Sequence, residues 1–343
     1  MALWTDVIDP ATLTGYARAA LADYEARKGT LAQWLPNQTV SDVVVRFVAG
    51  STGLVEEAKF RAYDAEPEIG KANPSKRVTL ELPALGQNIP VSEYQQLRNR
   101  NASDDAVLRN IQKTTVQVVQ AVADRIERLR GVVLNTGKAT IDQDNFKTDD
   151  DFGRPAGHTV TAGALWTTTS VDRLADLTAW NDVYIGTNGE AAGSLVMSTR
   201  AFRALASGDQ FKTVLAGGAS RPASKADIDA ILAGMGLPPI YLFDRRVQSG
   251  GVSTKVLADD RILMLPAPVA ADDASGTQLG GTFWGQTLTS TDLNWGIEDS
   301  EQPGIVAGVF RNEKPPVIAE VISDAIALPV LANAGLSFSA KVL

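Results

Sequence analysis

Apolar side chains recur at alternating intervals of three and four residues between Ser103 and Asn135. This stripe consists of Val107, Ile111, Thr115, Val118, Val122, Ile126, Leu129 and Val133. A period of 3.6 residues places these positions on one face of a helix. Asp104 and Asp105 place negative charge in the first turn, and Gly137 follows the last turn, as is typical of helix ends. At about 1.5 Å per residue, the pattern predicts a helix of roughly 50 Å, which is a structural spine.

Residues 43–90 have a period of two, which is typical of half-buried strands. One strand is predicted at Val43–Val48, and further alternating positions are Ala58, Phe60, Ala62, Val78, Leu80 and Leu82. Asp64–Lys76 is rich in Pro, Gly, Glu and Lys, which indicates the tip of a long hairpin. Because a two-stranded hairpin is marginal in water, this hairpin requires a partner surface.

The first forty residues predict an arm that contains a helix at Pro10–Arg27. Trp4 and Trp34 are too large for such a segment to bury by itself, so they pack either on the protein's own body or on a neighbouring subunit. Beyond the spine the pattern alternates between helices and short strands, which indicates an α+β fold. The predicted helices are Val171–Val183, Thr199–Ser207 (capped by Thr199) and Lys225–Met235. The predicted strands are Lys138–Phe146, Leu195–Ser198, Ile240–Phe243, Ile262–Leu265, Thr282–Thr287, Ile305–Phe310 and Val317–Ile322, followed by an apolar tail to Leu343.

Composition narrows the classes of protein. The 343 residues suffice for about two ordinary domains. A net charge of −8 argues against sequence-independent binding of nucleic acid through a basic surface. The chain has no cysteine, which excludes disulfides and thiolate chemistry. The N-terminus lacks the layout of a secretion signal, and no apolar run is long enough to cross a bilayer. We therefore expect no membrane association.

Catalytic motifs are missing from the sequence. His158 is the single histidine, and in a loop it is expected to be a surface or hydrogen-bonding residue. Gly131–Lys138 fails as a phosphate loop in spacing and in following a helix. Asp142, Asp144 and Asn145 fail as a calcium loop, and the acidic run at Asp149–Asp151 is expected to be a solvated turn. We predict no enzymatic activity, no cofactor and no metal.

Three segments carry a resemblance to a known family. They are DDFGRPAGHT (Asp150–Thr159), TFWGQT (Thr282–Thr287) and KPPVIAEVISDAIALPVL (Lys314–Leu331), and the chain ends in AKVL. Together with the order of elements, they resemble the major capsid proteins of tailed bacteriophages, within them the phage lambda major head protein (major capsid protein E) family. That resemblance implies the HK-97-type fold, with an N-terminal arm, an extended E-loop hairpin, a spine helix in a peripheral domain, and a mixed α/β axial domain.

The resemblance also implies a division of the chain and a set of contacts between subunits. The expected divisions are residues 1–47 (arm), 48–98 (E-loop), 99–165 (peripheral domain), 166–312 (axial domain) and 313–343 (strands that return to complete the peripheral sheet). The E-loop is expected to lie across an adjacent subunit, and the axial loops to gather around the symmetry axes. The expected assembly contacts are Trp4, Trp34, Lys59, Arg61, Glu66, Glu68, Lys71, Lys76, Arg77, Gly217 and Gly218.

The implied function is a structural head protein that self-assembles, as hexamers and pentamers, into an icosahedral shell. Such a shell encloses double-stranded DNA without sequence-specific binding, resides in the virion and is assembled in the bacterial host cytoplasm. Its implied partners are a separate scaffolding protein, a portal and a decoration protein. Two alternatives stay open at this point: an encapsulin-like compartment with enzyme cargo, and a carboxylate-based α+β hydrolase.

Overall fold

A computed structural model of the chain describes residues 2–5, 8–49, 76–98, 104–143, 146–214, 223–273, 276–312 and 314–343. The helices are α1 (Pro10–Lys28), α2 (Glu93–Arg98), α3 (Asp104–Thr136), α4 (Arg173–Asn188), α5 (Thr199–Ala206), α6 (Asp209–Val214) and α7 (Lys225–Gly234). The strands are β1 (Ala2–Leu3), β2 (Asn37–Thr39), β3 (Val44–Ala49), β4 (Lys76–Glu81), β5 (Ala84–Val91), β6 (Lys138–Gln143), β7 (Phe146–Asp151), β8 (Thr159–Thr161), β9 (Ser194–Met197), β10 (Ile240–Leu242), β11 (Arg246–Ser249), β12 (Val252–Lys255), β13 (Arg261–Leu265), β14 (Gly280–Trp284), β15 (Val306–Arg311), β16 (Ala319–Leu331) and β17 (Phe338–Lys341). None of the helices described is long and apolar enough to cross a membrane.

The spine helix is confirmed as α3, which runs unbroken for 33 residues. Its predicted stripe is buried from Ile111 to Val133. The helix ends at Gly137, whose φ of +76° is a left-handed conformation that favours glycine. The backbone N–H of Gly137 donates to the carbonyl of Val133 at 2.8 Å. The sequence pattern and the packing therefore agree along the whole helix.

The spine lies against a six-stranded sheet with the order β1-β15-β16-β14-β2, in which β5 also pairs with β16. The 13-residue β16 is the central strand. Its first half alternates between buried and half-buried positions, whereas Ala327–Leu331 is buried on both faces. Such a change from alternating to continuous burial is expected where a strand is covered on one face along its first part and on both faces along its second part.

A second sheet has five strands in the order β10-β9-β13-β17-β8. The remaining ladders are the hairpins β3–β4, β6–β7 and β11–β12, each of which forms its own two-stranded sheet in the described part of the chain.

Two apolar cores are joined by α3. The spine residues Ile111 to Ile126 pack with α1, β15 and β16 in one cluster. Leu129, Val133 and Leu134 belong to a second cluster, which contains the five-stranded sheet and α4. The last two turns of the spine therefore connect the two halves of the molecule.

The structure corrects several expectations. The acidic run Asp149–Asp151 is not a solvated turn but the end of β7, which pairs with β6. The cap of α5 is Ser198, whose side chain accepts from the N–H of Ala201, and Thr199 is the first helical residue. The final strands do not all enter one sheet, because β17 pairs with β13 and β8, whereas β14 and β15, predicted in the axial segment, pair with β16.

The predicted arm is attached to the body. Helix α1 packs against α3 and β15, β1 pairs with β15, and β2 pairs with β14. Arg18 of α1 donates to the backbone carbonyls of Pro303 and Ile305, both at 3.2 Å. The N-terminal segment thus supplies the strands at both ends of the order β1-β15-β16-β14-β2 and a helix that packs on β15.

We predict that Gly131→Ala destabilises the subunit. A Cβ at Gly131 would lie 2.1 Å from the carbonyl oxygen of Val256, so α3 would have to move away from the loop after β12. Overpacking of this kind costs about 1–3 kcal/mol, measured by urea unfolding of unassembled subunits. Gly186→Ala in α4 is the matched control, because it meets nothing within 4 Å and should be neutral or stabilising by up to about 1 kcal/mol. Equal stability of the two variants would contradict the prediction.

Candidate functional site

The two tryptophans among the predicted assembly contacts both contact their own chain. Trp4 is half-buried, and its backbone N–H donates to the carbonyl of Val309 at 2.8 Å. Its ring lies 4.9 Å from the guanidinium of Arg311, which is placed over the ring face. Trp34 is 3% exposed, and its Nε1–H donates to Ser194 Oγ at 2.8 Å. The Trp34 ring therefore packs on the body of its own chain, and little of it is left for a neighbouring subunit.

The other predicted contacts cannot be placed in the same way. Lys76 and Arg77 are the first residues of β4, where they pair with Ala49 and Val48 of β3, but their side chains lie outside the described part. Outside the described residues also lie Lys59, Arg61, Glu66, Glu68, Lys71, Gly217 and Gly218. Their roles in assembly stay predictions.

A buried ionic network fixes the elements that surround the spine. The guanidinium of Arg130 is fully buried, and its Nη1 lies 2.8 Å from carboxylate oxygens of both Glu25 and Glu127. It also donates to Thr282 Oγ1 at 2.9 Å and to the side-chain oxygen of Asn37. One guanidinium thus joins α1, α3, β2 and β14.

Both carboxylate oxygens of Glu127 are occupied. Oε2, which also binds Arg130, accepts from Thr30 Oγ1 at 2.9 Å, and Oε1 accepts from the N–H of Leu31 at 2.7 Å. Burial acts to lower the pKa of Arg130, but the charges of Glu25 and Glu127 outweigh it and raise that pKa. Because every buried charge has a hydrogen-bonded counterpart, the desolvation cost is offset.

A second arginine extends the network to the hairpin β11–β12. Arg245, which precedes β11, donates from Nη2 to Asp124 Oδ1 at 2.9 Å and from Nη1 to the carbonyl of Gly29 at 2.9 Å. Tyr24 OH donates to the same Asp124 oxygen at 3.0 Å. The orientation of α1 relative to the spine is therefore set by polar contacts as well as by apolar packing.

The sequence analysis missed this network. One signal was present: Arg130 follows Ile126 by four residues and precedes Val133 by three, so it occupies a position on the apolar stripe itself. A charged residue at such a position must be paired when the stripe is buried. Glu127 is three residues away, but the other partners come from segments about 100 and 150 residues away, which no local pattern identifies.

The segment Asp150–Thr159 ties the end of the spine to β17. Arg154 donates to the carbonyl oxygens of Leu134 at 2.6 Å and Asn135 at 3.1 Å, which satisfies two orphan groups at the end of α3. Its Nε–H donates to Ser337 Oγ at 2.9 Å. Burial, and secondarily the nearby Arg261, lower the pKa of Arg154 to about 10. The side chain is still a cation at neutral pH.

His158 lies in the same segment and is buried, with 1% of its surface exposed. Its Nδ1 is 3.3 Å from the carbonyl oxygen of Ser337, and its Nε2 is 3.0 Å from Thr187 Oγ1. The ring also stacks on Tyr184 at 6.0 Å. The expectation of a hydrogen-bonding residue is met, but the expectation of a surface position is not. Burial lowers the pKa of His158.

The weak chemical motifs acquire structural explanations. Gly131 allows the backbone of Val256 to approach α3, and Gly137 ends the helix. Asp142 lies in the exposed hairpin β6–β7, where it pairs with Lys147 at 2.8 Å. Among the described residues, no group of three His, Asp or Glu side chains could hold a metal ion.

The most exposed of the large apolar side chains in the described part of the chain lie at three places. Leu288 and Leu293, in the segment between β14 and β15, are 92% and 96% exposed. Tyr94 in α2 is 72% exposed, and Val252 at the turn of the β11–β12 hairpin is 64% exposed. Single exposed apolar side chains are ordinary on a protein surface, whereas several in one segment are typical of an interaction site; Leu288 and Leu293 meet that condition.

A family model for phage major capsid protein E matches residues 19–278. The chain belongs to the phage major capsid protein E family. This capsid protein has the HK-97-type fold that the resemblance implied, and its function is to form a shell. The virion is accordingly the location of this family. No curated protein sequence matches the chain.

Solved structures agree on the fold. A prophage protein of Escherichia coli CFT073, assigned as a capsid protein, superimposes with a TM-score of 0.66 at 14% identity, covering 98% of this chain and 99% of the other. A phage-related protein of Bordetella bronchiseptica RB50 gives 0.60 at 14% identity, covering 97% of each chain. The capsid of Myoviridae phage XM1 gives 0.50 at 12% identity, covering 91% of this chain and 90% of the other.

We predict that Arg130→Met strongly destabilises this capsid protein. The substitution leaves the buried carboxylate of Glu25 without a cation and leaves Glu127 with only Arg245, whose Nη1 lies 3.8 Å from its Oε2; a buried pair broken in this way costs about 3–5 kcal/mol. Lys225→Met is the matched control, because it breaks an exposed i,i+4 pair with Asp229 and should cost less than about 1 kcal/mol. Chemical denaturation of unassembled subunits measures both. Similar losses in the two variants would mean that the buried network contributes little.

We also predict that subunit stability decreases between pH 7 and pH 5.5 because of His158. Burial lowers its folded-state pKa, so the neutral ring stabilises the fold above the unfolded-state pKa of about 6.5. Below that pH the unfolded chain binds the proton first, and the free energy of unfolding falls by up to about 1.4 kcal/mol per pH unit.

His158→Gln tests this assignment, since the chain has a single histidine and exposed carboxylates titrate near pH 4. We expect the variant to be less stable at pH 7 but to show a flat profile over this range. A pH dependence that persists unchanged in the variant would assign it to another group.

Proposed function

We propose that copies of this capsid protein assemble, as hexamers and pentamers, into the icosahedral head of a tailed bacteriophage and enclose double-stranded DNA. The role is structural and requires no catalytic group. Assembly takes place in the host cytoplasm, with a separate scaffolding protein, a portal and a decoration protein as partners. The observation that carries this proposal is the match of a capsid family model to residues 19–278.

The hairpin β3–β4 supports contacts between copies. It pairs only with itself in the described part of the chain, with a register from Val44–Glu81 to Ala49–Lys76. Val45 and Leu80 at its base are buried, which anchors the hairpin. A two-stranded hairpin is marginally stable in water unless it packs on another surface. We assign that surface to an adjacent subunit, which the E-loop crosses.

The net charge of −8 suits a container that must release its contents. Strong phosphate neutralisation by a basic lining would hold DNA tightly and in a salt-dependent way. An acidic balance leaves most of the charge of the DNA to mobile counterions. Binding without sequence specificity follows from this arrangement.

Negative-stain microscopy and sedimentation of the purified chain test the proposal. We expect closed shells, or five- and six-membered rings that close into shells on crowding. A chain that stays monomeric or forms only small compact oligomers contradicts it. Particles from phage-producing cells should contain DNA. Particles that contain an enzyme instead would favour the encapsulin-like compartment.

Deleting Glu66–Ser75 tests the E-loop contact in the same assay. We expect this variant to fold, because the anchor at Val45 and Leu80 is retained, but to lose closed shells of normal size. A Gly/Ser replacement of equal length is the matched control, since it keeps the reach of the loop and removes only its side chains. Normal full-size shells from the deletion would defeat the E-loop contact without affecting the family assignment.

A further inference from the structure

The segment between β14 and β15, residues 286–304, presents apolar and acidic side chains together; we call it the leucine loop. Leu288 and Leu293 are 92% and 96% exposed. The loop contains the carboxylates Asp292, Glu298, Asp299 and Glu301 and no lysine or arginine. The backbone carbonyl of Glu298 accepts from the N–H of Glu301 at 2.8 Å, but its side-chain carboxylate has neither a hydrogen bond nor an ion pair with any described residue.

Hydrogen bonds and the packing of Trp295 attach the leucine loop to the six-stranded sheet. Thr287 and Ser290 bond reciprocally, from the N–H of each to the hydroxyl of the other, at 3.1 and 3.0 Å. Thr289 donates to Asp324 of β16 at 2.7 Å. Trp295 is 4% exposed and packs on the backbone of Gly308 in β15. A rigid loop with exposed leucines has already lost the entropy that ordering on binding would cost.

A complementary surface lies elsewhere on the chain. A groove of about 590 Å³ is formed by α3, the start of β5 and the end of β11; we call it the arginine groove. Its lining includes the apolar residues Leu85, Val122 and Val247 and the cations Arg125 and Arg128. No residue of the leucine loop is part of this lining. Asp324 of β16, which accepts from Thr289 of the loop, pairs with Gly86 of the groove lining.

In the described part of the chain, Arg125 and Arg128 of the arginine groove have no carboxylate partner. Arg125 has no hydrogen-bond or ion-pair partner among the described residues, and burial, together with the charge of Arg128, lowers its pKa. Arg128 donates to the neutral Ser249 Oγ at 2.6 Å. Asp124 also lines the groove, but it is bound by Arg245 and Tyr24. A ligand that carries carboxylates and apolar side chains would relieve this unpaired charge.

We propose that the leucine loop of one copy docks in the arginine groove of an adjacent copy in the shell. This inference rests on assembly into a shell as proposed above. The carboxylates of Glu298 and Asp299 would meet Arg125 and Arg128, and the two leucines would cover the apolar floor. Because the two surfaces differ, the contact is heterologous, the type of contact that propagates from copy to copy and closes into rings and shells.

A charge-swap cycle tests the contact. Arg125→Glu with Arg128→Glu should raise the protein concentration needed for assembly by about tenfold or more, because like charges then face each other. Glu298→Lys with Asp299→Lys should do the same. The chain that carries all four substitutions should assemble again, with at least a tenfold recovery relative to either pair. Leu288→Ser with Leu293→Ser should also weaken assembly.

Matched controls separate this contact from general effects. Arg109→Glu with Lys113→Glu makes the same change of charge at exposed positions of α3 outside the groove, and Met235→Ser removes an apolar side chain that is 49% exposed. Both should assemble like the unmodified chain. Circular dichroism and thermal unfolding confirm that each variant is folded.

The outcomes are distinct. If the unmodified chain forms no shells, the proposed function fails. If the unmodified chain and the groove variant both assemble normally, only the docking contact is overturned. A third outcome also overturns the docking contact: each pair of substitutions alone blocks assembly, and the chain with all four substitutions does not assemble either. The two surfaces would then have different partners.

Discussion

The buried guanidinium of Arg130 is the constraint on which the rest of the fold depends. A cation in an apolar interior is tolerated only when carboxylates and other acceptors surround it. Here those acceptors come from α1, the spine, β2 and β14. Each of these elements must be in place before the charge is satisfied, so the network couples the N-terminal layer to the sheet. Apolar packing alone would allow α1 to slide along the spine, whereas the ion pairs do not.

The position of the network matters as much as its strength. Arg130 lies where the two apolar clusters meet along α3, between Ile126 of one cluster and Val133 of the other. Arg154 fixes the end of the same helix through the carbonyls of Leu134 and Asn135. The spine is thereby held both at the junction of the cores and at its C-terminus. A shell subunit transmits load between its contacts, and a spine fixed in this way keeps those contacts in a constant relative position.

Much of the fold could be predicted from the sequence, because the spine and β16 carry strong periodic patterns and most strands follow apolar runs. The segments that carried the family resemblance are those with internal roles: Thr282 accepts from Arg130, and Arg154 caps the spine. Sequence reasoning failed where partners are distant, as in the Arg130 network, and where a polar run forms a strand. Asp149–Asp151 has no apolar signal, yet its backbone pairs with β6 in a hairpin whose exposed face tolerates carboxylates.

Contacts between copies are harder to read from a sequence than the fold is. A core position leaves a periodic signal, because its own chain determines what it must pack against. A residue at a contact between copies packs against a surface of another copy. In the isolated subunit it is therefore recognised only as a side chain whose environment is unfavourable, such as a leucine in water. Leu288 and Leu293 in water, and Arg125 without a counter-charge among the residues that the structure describes, are such places. They were invisible as motifs because leucine and arginine are ordinary residues, and only their exposure and lack of partners distinguish them. In this capsid protein the periodic pattern of core residues therefore indicates the fold, whereas exposed apolar side chains and unpaired charges indicate the contacts between copies.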